Sequence, residues 1–95
     1  MVEPSLLVLA SLAESDKHGY AIMQDVEAFA QVRLGPGTLY GAITRLEEKG
    51  WIRPLPPEER RVPYRLTAEG RKHLQEELGL LGRVSRTGLD RLKRV

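Results

Sequence analysis

The sequence predicts a mostly helical α+β fold, and three observations support this prediction. Four segments carry apolar residues at the spacing of an amphipathic helix. Residues 62–66 instead alternate between apolar and other side chains, which is typical of a β-strand. Proline and glycine stand at the boundaries of these segments, where they begin or end helices. The chain has 95 residues, so we expect one small hydrophobic core.

The composition excludes several classes of function. The absence of cysteine rules out disulfides, thiolate metal sites and a cysteine nucleophile. A net charge of +2 is a weak indication of a polyanionic partner. The apolar run at residues 6–12 is too short to cross a membrane and follows Glu3 rather than a basic segment. We therefore expect a cytoplasmic protein with no membrane segment and no signal peptide.

The residue pattern also predicts neither a metal site nor a cofactor. His18 and His73 are far apart in sequence, and neither has a partner at a recognised metal-ligand spacing. The chain contains no nucleophile elbow, and residues 35–37 do not form a nucleotide-binding loop. We therefore predict that the protein is not an enzyme. We expect His73 to lie on the surface and Trp51 to cap the core.

Residues 4–13 predict a first helix that is apolar on nearly all sides. Two interpretations remain open for this helix. One side faces the core while Leu6 and Leu9 contact a second subunit, or the whole helix is buried inside one domain.

A second helix is predicted over about residues 18–30. Ile22, Val26 and Phe29 form its apolar stripe, and His18 closes the turn that leads into it. Residues 31–35 make a short connector to the next helix. Two helices joined by so short a connector are typical of a helix-turn-helix.

The third predicted helix has clear signals at both ends. Pro36 suits the first helical turn because its missing N–H has no partner there. Gly50 suits the left-handed position that follows a helix. The residues expected to face the core are Leu39, Ile43 and Leu46.

The opposite side of this helix is nearly bare. It carries two glycines, two hydroxyls and one guanidinium, at Gly37, Thr38, Gly41, Thr44 and Arg45. A face that merely contacted solvent would favour Glu, Lys and Ala. A bare face lets the helix lie close to another surface and offer hydrogen bonds there, and we interpret that surface as the major groove of DNA.

Two short strands follow, at residues 51–53 and 62–66, around a charged turn at residues 55–61. Pro63 has no N–H to donate to a ladder, so its strand is predicted to be an edge strand. Helix, helix-turn-helix, hairpin and helix is the order of a winged helix-turn-helix domain with a C-terminal helix.

Thr67 is predicted to cap the last helix, which runs toward Val95. Three interior glycines weaken this helix, so we expect it to need a partner or to fray. We predict a DNA-binding domain at residues 1–67 and a dimerisation arm at residues 68–95. The predicted dimer contacts are Leu6, Leu9, Leu74, Leu78, Leu81, Leu89 and Leu92.

Four segments resemble the PadR family of bacterial transcriptional regulators: His18-Gly19-Tyr20, residues 34–41, residues 45–50 and residues 64–70. The resemblance implies a homodimeric DNA-binding repressor. Members of that family pack through the C-terminal helix, often with help from the first helix, and many respond to small aromatic or cationic compounds.

The motifs and the resemblance together predict a set of DNA contacts. For Tyr20 the resemblance favours a phosphate contact, whereas for Tyr40 phosphate contact and core packing both remain open. The wing arginines either meet phosphates or pair with Glu58 and Glu59. The full predicted set is Tyr20, Gly35, Pro36, Gly37, Thr38, Tyr40, Gly41, Thr44, Arg45, Arg60, Arg61 and Arg65.

We therefore expect a homodimeric transcriptional repressor that binds a pseudo-palindromic operator in double-stranded DNA and is released by a small inducer. The alternative is a winged-helix module that binds another protein and has no specific DNA site.

Overall fold

In the computed structural model, which describes residues 2–94, the chain forms four α-helices and one three-stranded antiparallel sheet. This is the mostly helical α+β fold that the sequence predicts. The helices are α1 (Pro4–Glu14), α2 (Gly19–Ala30), α3 (Pro36–Glu48) and α4 (Ala68–Leu92). The strands are β1 (Lys17–His18), β2 (Ile52–Pro54) and β3 (Pro63–Leu66), arranged in the order β1-β3-β2.

Helix α1 is the centre of the core, which explains why it is apolar on nearly all sides. Val8 and Leu9 are 0% and 1% exposed, and the helix packs against α2, α3, β3 and α4. Leu6 is 7% exposed. The assignment of Leu6 and Leu9 to a subunit contact is therefore corrected, because the chain's own core already covers both side chains.

A largely buried network of polar groups links α1 to α2 and β1. The buried Ser11 hydroxyl donates a 2.7 Å hydrogen bond to Asp25 Oδ2 in α2. Lys17 in β1 donates to the Ser11 carbonyl oxygen, and its ammonium lies 3.7 Å from the same Asp25 oxygen. Every polar group in this network has a partner, so its burial is compensated. The network links α1 to the middle of α2 and to β1.

The sheet differs from the prediction for Pro63. Residues 17–18 form β1, which the sequence did not indicate, and β1 pairs with β3 on the side opposite β2. Strand β3 is therefore central rather than an edge. Proline is tolerated there because Pro63 is the first residue of β3, and the pairing with β2 begins at Tyr64.

The end of α2 also differs from the prediction, since Phe29 is 50% exposed. The chain leaves the helix at Gln31 in a left-handed conformation, with φ of 56°. The connector then turns Leu34 into the core and packs Val32 against it. Leu34 is therefore a core residue that the predicted stripe of α2 did not include.

Helix α3 agrees with the prediction at both ends and on its buried side. Pro36 occupies its first turn, and Gly50 follows the helix with φ of 74°. The predicted stripe is confirmed, because Leu39, Ile43 and Leu46 are at most 2% exposed.

Helix α4 begins inside the domain and then leaves it. The Thr67 side chain caps it as predicted, accepting a 3.0 Å hydrogen bond from the Gly70 N–H. Gly70 and Leu74 are buried against the domain, so the assignment of Leu74 to a dimer contact is corrected. From Leu78 onward the apolar side chains are exposed, and the described residues extend over 55 × 26 × 20 Å. The helix ends at Leu92, and Val95 lies outside the described residues.

Candidate nucleic-acid interface

The outer side of α3 is exposed, as its composition predicts. At 100° per residue, Gly37, Gly41 and Thr44 lie opposite the buried stripe, with Thr38 and Arg45 on one flank. A side-chain carbon added at Gly37 would meet nothing within 4 Å. The N-terminal half of α3 therefore offers a smooth surface that a second molecule can approach to backbone distance.

Thr44 is partly engaged within its own helix. Its hydroxyl donates a 2.9 Å hydrogen bond to the Tyr40 carbonyl oxygen, so the hydroxyl oxygen is left to accept from a ligand. One turn further on, Glu48 lies on the same side of α3 and is exposed. Glu48 is a feature that sequence reasoning missed, although its spacing from Thr44 was a sufficient signal.

An open cavity of about 360 Å³ lies between the helix-turn-helix and the wing. Four of the predicted contact residues line it together, namely Tyr20 from α2, Tyr40 from α3, and Arg60 and Arg61 from the wing. His18 and Tyr64 also line this cavity, and neither was predicted to be a contact residue. Burial raises the pKa of the Tyr64 phenol, and nearby Glu47 and Tyr40 add to this effect, so Tyr64 is a neutral donor.

The environment of Tyr40 combines the two alternatives left open by the sequence. Its ring packs against the backbone of Gly19, where an added side-chain carbon would lie 2.9 Å from Tyr40 Cζ. The side chain is nevertheless 49% exposed and reaches the cavity. Tyr40 thus packs α3 against α2 and also lines the cavity.

The wing tip is a strained two-residue turn. Glu59 and Arg60 both have positive φ, at 48° and 70°. The flanking residues close the turn, because the N–H of Glu58 donates to the Arg61 carbonyl oxygen at 2.7 Å and the reverse bond measures 2.8 Å. Positive φ at both central positions is the geometry of a type I′ turn, which normally uses Asn and Gly. Arginine at position 60 therefore costs backbone energy relative to glycine, which adopts positive φ without strain.

Arg65 does not join the other two wing arginines. Its guanidinium forms a bidentate ion pair with Asp16, with a shortest distance of 2.7 Å. Hydrogen bonding from Arg65 holds the pKa of Asp16 below its usual range, and the same bond raises the pKa of Arg65. The expected pairing partners of this arginine, Glu58 and Glu59, are therefore replaced by Asp16.

The remaining predicted contacts lie at the margins. Gly35 and Pro36 are exposed where α3 begins and share a second open cavity with Tyr20. Arg45 lines a third cavity between α1, α3 and α4, about 350 Å³ in volume.

That third cavity also contains Trp51 and His73, whose rings stack with centroids 3.7 Å apart. His73 is half-buried, so it lies at the surface with one side covered by the Trp51 ring. The stack joins the start of β2 to α4, and the Lys49 ammonium lies 5.0 Å from the centre of the Trp51 ring. Trp51 packs against the core as predicted, and it also anchors α4.

The sequence pattern of the transcriptional regulator PadR-like family matches residues 8–76, which include the later part of α1, all of α2 and α3, the sheet and the start of α4. The chain belongs to this family. The resemblance inferred from the sequence is thus confirmed. The PadR-like family consists of transcriptional regulators and not of enzymes.

Solved structures of relatives share this fold. A transcriptional regulator from Clostridium thermocellum is 30% identical, with a TM-score of 0.80, and the match covers 88% of this chain and 84% of that one. A PadR family transcription regulator from Clostridium difficile is 28% identical, with a TM-score of 0.76 over 93% of this chain and 99% of its own. These PadR-like relatives have the winged helix with its C-terminal helix.

An uncharacterized 37.1 kDa transposon protein from Streptomyces fradiae is 45% identical over 83 residues. The match covers 87% of this chain but spans only 24% of that relative's length.

Within residues 2–94, no group of three or more His, Asp or Glu side chains is arranged to hold a metal ion. Over the same residues, no helix combines the length and apolarity that crossing a bilayer requires.

Proposed function

We propose that this PadR-like chain is a homodimeric repressor that binds a pseudo-palindromic DNA operator through α3 and the wing. The observation that carries the proposal is the continuity between two surfaces. The bare side of α3 adjoins the cavity that brings Tyr20, Tyr40, Arg60 and Arg61 together. One duplex can therefore contact a helix face and a cationic pocket at the same time.

The α3 face is suited to direct contact with bases. Recognition helices contact base edges chiefly with residues of their N-terminal half, which here contains Gly37, Thr38 and Gly41. The N–H groups of the first turn have no partner within the helix and favour an anion. Thr44 and Arg45, one turn further along, supply an acceptor and a bidentate donor that can distinguish base edges.

The wing cavity is suited to the DNA backbone. The side chains of Arg60 and Arg61 are exposed, and the phenols of Tyr20 and Tyr40 add neutral donors. Such contacts carry no sequence information but supply affinity that falls steeply with salt. Arg65 is a weaker candidate for this role, because Asp16 already neutralises its charge.

We further propose that two copies pair through the exposed part of α4. Seen down the helix axis, the apolar side chains beyond Leu74 lie on one half of the surface and most of the charges lie on the other. Glu77 and Arg91 are the two charged residues within the apolar half. Its apolar side chains are Leu78, Leu80, Leu81, Val84, Leu89 and Leu92, which are 44% to 71% exposed. Gly88 lies within this half and allows close approach of a second helix. We therefore assign residues 68–95 to the arm, with its paired part beginning at Leu78.

Footprinting on the DNA upstream of the gene tests the operator assignment. We expect a protected site made of two half-sites, separated by about one helical turn or a multiple of it. Thr44→Ala and Arg45→Ala are each expected to weaken binding by about five- to a hundredfold. Arg71→Ala, which removes an exposed cation from α4, is the control and should bind like the wild type. Unchanged affinity in both α3 variants contradicts the base-contact assignment.

A transcription assay on the same fragment tests the repressor role. Added protein should lower transcription from the protected promoter, whereas increased transcription contradicts repression. A panel of aromatic acids and cationic drugs in the same assay tests for an inducer, which should restore transcription and release the DNA. Failure of the whole panel removes these two ligand classes from the proposal.

Sedimentation of paired variants tests the arm. Leu81→Glu places a charge on the apolar half of α4 and should convert a dimer into a monomer. Arg83→Glu places the same residue on the charged half and should leave the dimer intact. A Leu81→Glu protein that still sediments as a dimer places the interface elsewhere.

A further inference from the structure

His18 connects the start of α2 to the wing through both nitrogens of its ring. Nδ1 lies 3.3 Å from the backbone nitrogen of Ala21, in the position of a helix cap. Nε2 lies 3.1 Å from Nη1 of Arg61. Both partners approach with an N–H group, so both demand an acceptor from the imidazole.

A neutral imidazole cannot satisfy both demands. It carries one proton, so one nitrogen accepts and the other donates. A guanidinium is a donor only, and the backbone N–H of Ala21 is also a donor. At any moment, therefore, His18 either caps α2 or holds Arg61, and the contact it does not make places two N–H groups against each other.

Two features favour the contact with Arg61 over the contact with Ala21. The Arg61 contact is the shorter, and its donor is charged, which strengthens a hydrogen bond relative to a neutral N–H. Making the Arg61 contact requires the proton on Nδ1, and the Ala21 N–H then has no acceptor in the ring.

Arg61 lies beside two cavities that offer space for other positions of its side chain. His18 and Arg61 both line the cavity that holds Tyr20, Tyr40 and Arg60. The same two residues line another cavity, distinct from the three described above and about 340 Å³ in volume. Its other walls include Glu58 and Glu59. Arg61 therefore lies between an anion-attracting cavity and an acidic one, and His18 holds it at the boundary.

We propose that His18 is a positioning residue that holds Arg61 in the free protein and caps α2 when Arg61 moves to a DNA phosphate. The inference rests on the proposed function, since the phosphate belongs to bound DNA. The exchange transfers the acceptor from Nε2 to Nδ1. When Arg61 binds a phosphate, His18 is thereby free to cap the N-terminus of α2. The position of Arg61 then affects the first turn of α2, where Tyr20 lies two residues beyond His18.

Two substitutions separate the roles of the two nitrogens. His18→Asn keeps an acceptor near the Nδ1 position, where asparagine is among the best helix caps, but is too short to reach Arg61. His18→Gln places its amide oxygen near the Nε2 position, so it can hold Arg61 but does not cap α2. Thermal unfolding of both variants checks that each is folded before DNA binding is compared.

Binding is measured on a random-sequence duplex of about 30 base pairs at low salt, because phosphate contacts do not depend on sequence. We expect His18→Asn to bind about threefold more tightly than wild type, since Arg61 is no longer held. His18→Gln should not show this gain. In an Arg61→Gln background, His18→Asn should bind no more tightly than the Arg61→Gln protein alone. An equal gain in both backgrounds, or no gain in either, overturns the inference.

Nitrogen NMR of the His18 ring gives a second measurement, because it shows which ring nitrogen carries the proton. A residue with a purely structural role would keep the same tautomer when DNA binds. We expect Nε2 to be the unprotonated nitrogen in the free protein and Nδ1 to be the unprotonated nitrogen in the DNA complex. A free protein with unprotonated Nδ1, or a tautomer unchanged by DNA, overturns the inference while leaving DNA binding intact. If the wild type binds neither this duplex nor the upstream fragment, the proposed function fails instead.

Discussion

Tyr40 of α3 lies directly over the backbone of Gly19, the first residue of α2. A side-chain carbon at Gly19 would overlap the Tyr40 hydroxyl oxygen and lie 2.9 Å from Cζ and 3.3 Å from Leu39 Cδ2. The two helices of the helix-turn-helix therefore meet where one residue has no side chain and the other has a flat ring. This contact fixes the relative position of Tyr20 and the bare side of α3.

Gly19→Ala is expected to lower the free energy of unfolding by about 1–3 kcal/mol and to weaken DNA binding, because the Tyr40 ring must move. Gly37→Ala is the stability control, since the space around Gly37 is open. Denaturant unfolding measures the first effect and a gel shift measures the second. A Gly19→Ala protein as stable as wild type contradicts the packing assignment. Adding Tyr40→Leu should restore part of the lost stability.

Two glycines of α4 are expected to respond in opposite directions. A side-chain carbon at Gly70 would collide with the Trp51 carbonyl group, with the carbonyl carbon at 2.8 Å, and backbone atoms cannot move aside as a side chain can. Gly70→Ala should destabilise the protein by about 3 kcal/mol or more. Gly79 has nothing within 4 Å, so Gly79→Ala should stabilise it by about 1 kcal/mol through helix propensity. Thermal unfolding of the two variants with matching signs contradicts this prediction.

The wing turn allows stability and DNA binding to be separated. Glu59→Asn should add about 0.5–1 kcal/mol of stability, because Asn tolerates the positive φ at this position, and DNA binding should not weaken. Arg60→Gly relieves the same kind of strain but removes a cation, so it should stabilise the protein while weakening DNA binding. Calorimetry and a salt-dependent binding series measure the two effects. Arg60→Gly should also make the dependence of binding on salt less steep, and a slope equal to that of wild type contradicts the phosphate role of Arg60.

Asp16 should make stability depend on pH in the acid range. Because Arg65 lowers the pKa of Asp16 from 3.8, the pair stabilises the folded state above this value. The contribution is lost as the pH falls through the lowered pKa. We expect Asp16→Asn to have a lower melting temperature than wild type at pH 7, with the difference shrinking below pH 3.8. A difference of equal size at pH 7 and pH 3 contradicts an ionic origin.

The local elements could be predicted from sequence because their signals lie within a few residues. Pro36 and Gly50 mark the ends of α3, and Thr67 marks the start of α4. The stripe Leu39, Ile43 and Leu46 identifies the buried side of α3 by its spacing alone. The residues of α3 outside this stripe must form its outer side. The main candidate surface could therefore be predicted before any tertiary contact was known.

Contacts between distant residues could not be predicted in this way. Strand β1 has only two residues and is defined by its pairing with β3. The paired residues are 47 positions apart for Lys17 and Tyr64 and 45 positions apart for His18 and Pro63. The position of Pro63 in a central strand follows from that pairing. The stack of His73 on Trp51 and the bidentate pair of Arg65 with Asp16 are likewise absent from any local pattern.

The sequence by itself determined the fold class, the family and the side of α3 that faces outward, because periodicity and helix-end residues act over one or two helical turns. Tertiary structure alone decided which polar residues share one site. It placed Tyr20, Tyr40, Arg60 and Arg61 around one cavity and paired Arg65 with Asp16 instead. It also brought two N–H groups to the ring of His18, which has one acceptor nitrogen when neutral. These relationships depend on how the packing of α1 orients α2, α3 and the sheet, and residue spacing does not encode that orientation.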